Sequence, residues 1–240
     1  MWSVLPVVLA LAYGVVAYQF SVRRTRRALD AHSSELNDPL LGEYTRRMAE
    51  ALELPRIRVH IYEIEPINGL AAPDGRIFIT RGFYRKYRAG EVSSGELASV
   101  VAHELGHIAL GHSRRRMIDF SGQNALRTAL VIILGRFVPF VGPLLANIAV
   151  RAVAAGLSRA DEYEADAYAA ALLVKSEIGT KPQKDLFRKL EKLGGGFLAP
   201  GPAWLLGHPA TADRIKAIEA LERKWQCSQA SPPPKAPLRG

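Results

Sequence analysis

The sequence predicts an α+β domain, mostly helical with a small β-sheet, behind one N-terminal transmembrane helix. Three observations predict it: an uncharged apolar run from Trp2 to Val22, a short alternating stretch from Ile57 to Tyr62, and several stretches with apolar residues at helical spacing. At 240 residues the chain is long enough for one domain with a substantial core and short for two.

The run Trp2 to Val22 covers the roughly 20 residues that a helix needs to cross a bilayer core. Pro6 and Gly14 interrupt it, but spanning helices tolerate both. Trp2 at one end and Tyr18 with Phe20 at the other stand where an interfacial aromatic belt would place them. Arg23, Arg24, Arg26 and Arg27 follow directly. A secretory signal carries its positive charge before the apolar run, so residues 1–22 read as a retained single-pass anchor. The charge that follows puts the rest of the chain on the cytoplasmic side.

The domain proper runs over 28–226. Residues 28–54 look helical, with a break at Asp38-Pro39. Ile57, Val59 and Ile61 alternate with Arg58, His60 and Tyr62, the period of a half-buried strand. A second strand, Ile77 to Thr80, follows the turn signal Pro73-Asp74-Gly75. Ser93 and Glu96 form a capping box, and the helix it opens carries Leu97, Val100, Val101, Leu105 and Ile108 at helical spacing. The apolar region 128–157 is cut by Arg136 and Arg151; its longest uncharged piece, Phe137 to Val150, is too short to span. It reads as a hairpin, either dipping into a membrane or packed in the core. Helical pattern resumes near Ser158 to Val174, then covers Pro182 to Leu193, where Gly194 to Gly196 end it, and Thr211 to Trp225. The proline-rich stretch 231–240 reads as a disordered tail.

Composition closes off several classes of function. An apolar content of 48% excludes a disordered or collagen-like chain, and a single cysteine, Cys227, excludes a disulfide framework or a multi-cysteine zinc finger. The net charge of +9 fits an anionic partner. Because the arginines cluster beside apolar segments without interleaved aromatics, that partner is a lipid membrane and no nucleic-acid role is expected.

The chemistry sits in His103-Glu104-Leu105-Gly106-His107, an H-E-x-x-H sequence inside the capped helix. Histidines four apart project from one helix face and can share a metal ion. Glu104 lies beside them, placed to accept a proton from a water that zinc has acidified to a pKa of roughly 7. The longer pattern H-E-x-x-H-x-x-G-x-x-H is excluded, because Leu110 and Ser113 stand at its glycine and histidine positions. His112 is out of that register and reads as a helix-terminal histidine favoured by the helix dipole. Arg114, Arg115 and Arg116 read in the same way, with a contact to lipid headgroups as the functional alternative.

A catalytic zinc needs a third protein ligand and an open position. The run Asp161-Glu162-Tyr163-Glu164-Ala165-Asp166 offers one. On a helix Glu162 and Asp166 share a face, whereas Asp161 and Glu164 point elsewhere. One carboxylate of the pair can bind the metal while the other takes the N–H of a ligating histidine.

With these blocks in order, the chain resembles the HtpX-like and CAAX-prenyl-protease group of membrane-linked zinc metallopeptidases, among the gluzincins. The resemblance is carried by Asn68-Gly69-Leu70-Ala71 with Arg76 to Gly82, Glu96 to Ala102 leading into the H-E-x-x-H, Ser158-Arg159 with Glu162-x-x-Ala165-Asp166, and His208-Pro209-x-Thr211-x-x-Arg214-Ile215. It covers roughly residues 40–222. It implies one zinc ion held by His103, His107 and Glu162, with Glu104 as general base and Asp166 as the partner of His103. It further implies that His208 comes from a loop, either to polarise the scissile carbonyl or to occupy the open zinc position at rest. Asn68, Gly69, Ala71 and Arg214 would meet the substrate. Asn68 to Ala72, beside the strand Ile77 to Thr80, reads either as a sheet edge to which an extended peptide can add or as an ordinary turn-rich loop. Members of the group carry more spanning helices than this chain, so a prenylated substrate is not implied.

The expected function is that of a membrane-anchored zinc endopeptidase acting on misfolded or membrane-associated proteins. A catalytically silent scaffold or chaperone of the same fold is the rival reading. Intact Glu104 speaks against it, because a pseudoenzyme has no need of the proton acceptor. Substrate identity and oligomeric state are not legible in the sequence.

Overall fold

A computed structural model describes residues 19–20, 23–24, 26–72, 74–112, 131, 142–193 and 211–230. Most of the expected anchor, the part of the apolar hairpin before Gly142 other than Val131, and the tail 231–240 lie outside the described residues. No helix among the described residues is long and apolar enough to cross a membrane.

Four short strands make one sheet: β1 (Ser33–Glu35), β2 (Val59–Tyr62), β3 (Gly69–Ala71) and β4 (Ile77–Thr80), in the order β1-β2-β4-β3. The central pair β2 and β4 runs parallel, with Val59 opposite Ile77, and the outer strands pair antiparallel. β3 and β4 form a hairpin whose turn is closed by Gly75, at φ +83°, donating its N–H to the Ala72 carbonyl at 3.0 Å. Alternation along β4 splits the core. Ile77 and Ile79 face the main cluster, while Phe78 packs with Leu29 and Ala72 on the other side. β1 was expected to be helix. Its Ser-Ser-Glu has no apolar face to announce a strand, and it is held at the sheet edge by pairing with β2 alone.

Asp38 caps the first helix, α1 (Pro39–Ala51), accepting from the N–H groups of Leu40 and Leu41, with Pro39 in the first turn. The short α2 (Arg81–Arg88) starts from Thr80, whose hydroxyl accepts from Phe83 N–H. The central helix is α3 (Ser94–Ala109), buried without interruption from Gly95 to His107. Its capping box is formed as expected: Ser93 accepts from Glu96 N–H at 3.2 Å, and Glu96 accepts from Ser93 N–H at 2.7 Å. Lys189 adds a third contact to the same carboxylate at 2.7 Å, tying α3 to α5 (Lys181–Leu193).

Against α3 lies α4 (Gly142–Lys175), one helix that begins well before the expected Ser158 and takes in the second part of the apolar region. Past Gly142-Pro143 at its start, the sequence holds no helix breaker except an isolated Gly156, so nothing ends the helix before the acidic run. The last helix, α6 (Thr211–Ala230), packs on α4 and α5. Lys184 bridges to Glu222 at 2.8 Å across the α5–α6 contact.

Candidate metal centre

The site is made where α3 crosses α4. On α3, His103, Gly106 and His107 stand at i, i+3 and i+4; on α4, Glu162, Ala165 and Asp166 repeat that spacing. The small residue in the middle of each stripe lets the backbones meet. A Cβ on Gly106 would lie 3.0 Å from the Ala165 carbonyl oxygen and 3.1 Å from its Cα. That contact brings the flanking side chains together, so Glu162 faces both histidines and Asp166 faces His103.

His103 Nε2 and His107 Nε2 are 3.1 Å apart. Glu162 places Oε2 at 3.2 Å from the first and Oε1 at 3.6 Å from the second. All three residues are buried, and their donor atoms lie within 4.8 Å of one another. Around a four-coordinate zinc with bonds of about 2.0–2.2 Å, neighbouring ligand atoms stand roughly 3.4 Å apart. The donor set therefore fits such an ion in chemistry and in spacing.

Behind the donors, Asp166 Oδ1 lies 2.9 Å from His103 Nδ1. Arg214 grips that carboxylate from the other side, Nε donating to Oδ2 at 2.5 Å and Nη2 to Oδ1 at 2.6 Å, with its guanidinium 4.2 Å from the centre of the Phe187 ring. Burial alone would raise the Asp166 pKa, but the charge and hydrogen bonds of Arg214, joined by His103, together outweigh it and hold the carboxyl below its usual range. Burial likewise opposes charge on His103, yet Asp166 and Glu162 prevail and lift its pKa to about 9 in the metal-free chain. A metal taken up on His103 would have to displace that proton. Affinity should then increase with pH up to about 9, with at least about one proton released per metal at pH 7. Calorimetry in buffers of different ionisation enthalpy reads the release directly; uptake without any would remove His103 from the ligand set.

Glu104, next to His103 in sequence, is buried, and β3 crosses close to it. A Cβ on Gly69 would come within 2.6 Å of Val100 Cγ1 and 3.2 Å of Glu104 Oε1, so only glycine lets the strand approach this closely. β3 stands at the end of the sheet order, paired on one side with β4 among the described residues, and Asn68 precedes it with its N–H donated to the Thr80 hydroxyl at 3.0 Å. Gly69 and Ala71 thus lie in a strand at the sheet edge among the described residues, with Asn68 just before it and Gly69 against Glu104. Arg214 does not. It is fully buried under Asp166, and a guanidinium with no exposed surface cannot take the substrate contact expected of it. His208 lies outside the described residues.

Sequence reasoning missed His112. Read from sequence as a helix-terminal histidine, it is wholly buried, with Nδ1 2.8 Å from His107 Nδ1. The signal was the glycine before it. Leu110 caps α3, Gly111 turns the chain at φ +66°, and its N–H donates to the Ile108 carbonyl at 3.1 Å. In this kind of helix ending the residue after the glycine folds back over the last turn, which here carries His107.

A family profile described as Peptidase family M48 matches residues 35–222. Metalloprotease LoiP of Escherichia coli (strain K12) is 28% identical over 84% of this chain and 82% of its own length. A protease HtpX homolog of Gemmatimonas aurantiaca is 23% identical over 91% of this chain and 89% of its own. Among solved structures, Ste24p of S. mikatae superposes with a TM-score of 0.51 at 21% identity, covering 78% of this chain and 50% of that one, a likeness of fold.

Proposed function

The chain belongs to peptidase family M48, and from that premise we propose that it is a zinc-dependent endopeptidase, linked to a membrane, that hydrolyses misfolded or membrane-associated proteins. The observation that supports this best is the meeting of His103, His107 and Glu162 donor atoms, with the neighbouring Glu104 buried against β3, the strand at the end of the sheet among the described residues. His103, His107 and Glu162 would hold the metal. Zinc bound there supplies Lewis acidity and an acidified water at neutral pH. Glu104 takes the proton from the attacking water and delivers it to the leaving nitrogen. Asp166 fixes the tautomer of His103, so that Nδ1 carries the proton and Nε2 is free to bind. An extended substrate adds to β3, with the backbone of Gly69 and Ala71 setting its register. His208 either donates to the developing oxyanion or occupies the open metal position at rest.

Strong chelation should inactivate the protein towards an unstructured protein substrate, and added zinc should restore it. Activity that survives a chelator capable of stripping the metal would sink the reading.

Membrane linkage rests on the apolar run Trp2 to Val22 with the arginines after it. The flanking charge places the catalytic domain on the cytoplasmic side. Protease added outside intact cells should leave the domain whole, and its digestion there would reverse the assignment.

A further inference from the structure

The two metal-facing histidines are supported in different ways. His103 leans on a carboxylate, Asp166, directly. His107 turns its Nδ1 towards another imidazole, that of His112. Beyond it, His112 Nε2 lies 3.3 Å from Glu164 Oε2 and 3.9 Å from Asp161 Oδ1. The acidic run of α4 is therefore divided between two tasks. Glu162 and Asp166 face the donor cluster and His103, while Asp161 and Glu164, three apart on a neighbouring face, face His112.

We propose that His112 is the positioning residue of His107, passing the orienting effect of Glu164 and Asp161 through a buried imidazole to a metal ligand. This rests on His107 being a ligand, as proposed above. The hydrogen-bond arithmetic leaves one arrangement. A neutral imidazole carries one N–H and one lone pair. His107 needs its Nε2 lone pair for the metal, so its proton sits on Nδ1. Only 2.8 Å separates that atom from His112 Nδ1, which must then accept. His112 in turn carries its proton on Nε2, aimed at the two carboxylates, which accept. Each link dictates the tautomer of the next, and the chain ends on fixed negative charge. The device depends on backbone geometry too. Gly111 has open space where a Cβ would go, so its requirement is the left-handed φ of +66° that folds His112 back over His107.

The test is the zinc dissociation constant, measured by competition with a chromophoric chelator on the full chain carrying Glu104→Gln to prevent self-cleavage. Phenylalanine keeps the size of the ring and removes the acceptor, so His112→Phe should weaken zinc binding by about 10- to 100-fold, the usual effect of losing a partner behind a ligand. His112→Asn returns an acceptor oxygen near the Nδ1 position and should recover most of the loss. A merely space-filling role predicts the opposite order, since asparagine leaves more of the ring's volume empty. Glu164→Ala should keep the metal and weaken it less than His112→Phe, because Asp161 remains beside His112 Nε2. Thermal midpoints of the metal-free variants separate misfolding from loss of affinity. Wild-type affinity in a folded His112→Phe, or an asparagine variant as weak as phenylalanine, overturns the proposal. His107→Ala is the control on the site itself. If it binds zinc normally, the ligand assignment fails; if it loses zinc while His112→Phe does not, only the positioning role fails.

Discussion

Glu104→Gln will leave the chain folded and loaded with metal while lowering peptide hydrolysis by about 100- to 10,000-fold, the contribution of a positioned general base. The substitution removes a proton acceptor and no ligand. Glutamine matches the size of glutamate, so the close approach of Gly69 to this side chain is preserved. The measurements are turnover on an unstructured protein substrate and metal content of the purified protein. Turnover at the wild-type level would remove Glu104 from the chemistry. Loss of metal along with activity would instead make it part of the metal cage.

The second large effect belongs to Asp166. This carboxylate serves His103 on one side and Arg214 on the other, all three nearly or wholly buried. Breaking a buried ion pair by removing one partner typically costs about 3–5 kcal/mol. Asp166→Ala should therefore destabilise the metal-free chain by about that amount. It should also weaken zinc about 10- to 100-fold through the loss of His103 orientation. The double variant Asp166→Ala with Arg214→Leu separates the two. Removing the guanidinium as well should recover part of the stability and none of the metal affinity, because His103 still lacks its partner. Denaturant unfolding and the zinc competition measurement read the two quantities independently. If stability and affinity return together, Asp166 acts on the metal only through the fold.

What the sequence disclosed is what short-range chemistry encodes. The capping box at Ser93 and Glu96, the four-residue spacing of His103 and His107, and the shared face of Glu162 and Asp166 are all properties of one helix at a time, and each appears in the structure. The alternation of β2 and the turn signal ahead of β4 were legible for the same reason. What it concealed depends on chain segments meeting. Arg214 lies far from Asp166 in sequence, and nothing local distinguishes a buried arginine that holds a carboxylate from one that meets substrate. His112 looked like a helix-end histidine because its role depends on a reversal at Gly111 and on carboxylates some fifty positions away. β1 has no apolar alternation because only its backbone is used.

The Gly106–Ala165 contact has a consequence in time as well as in space. Neither helix holds a complete donor set: α3 carries two histidines and Glu104, α4 the third donor and the carboxylates behind both histidines. A growing chain that has made α3 cannot cut anything, because α4 has yet to arrive and dock. A folded molecule whose helix pair loosens loses its metal grip in the same event. Proteolytic power is thus a late acquisition of folding and an early casualty of unfolding, which spares the cell a half-made or damaged copy that still cleaves its neighbours.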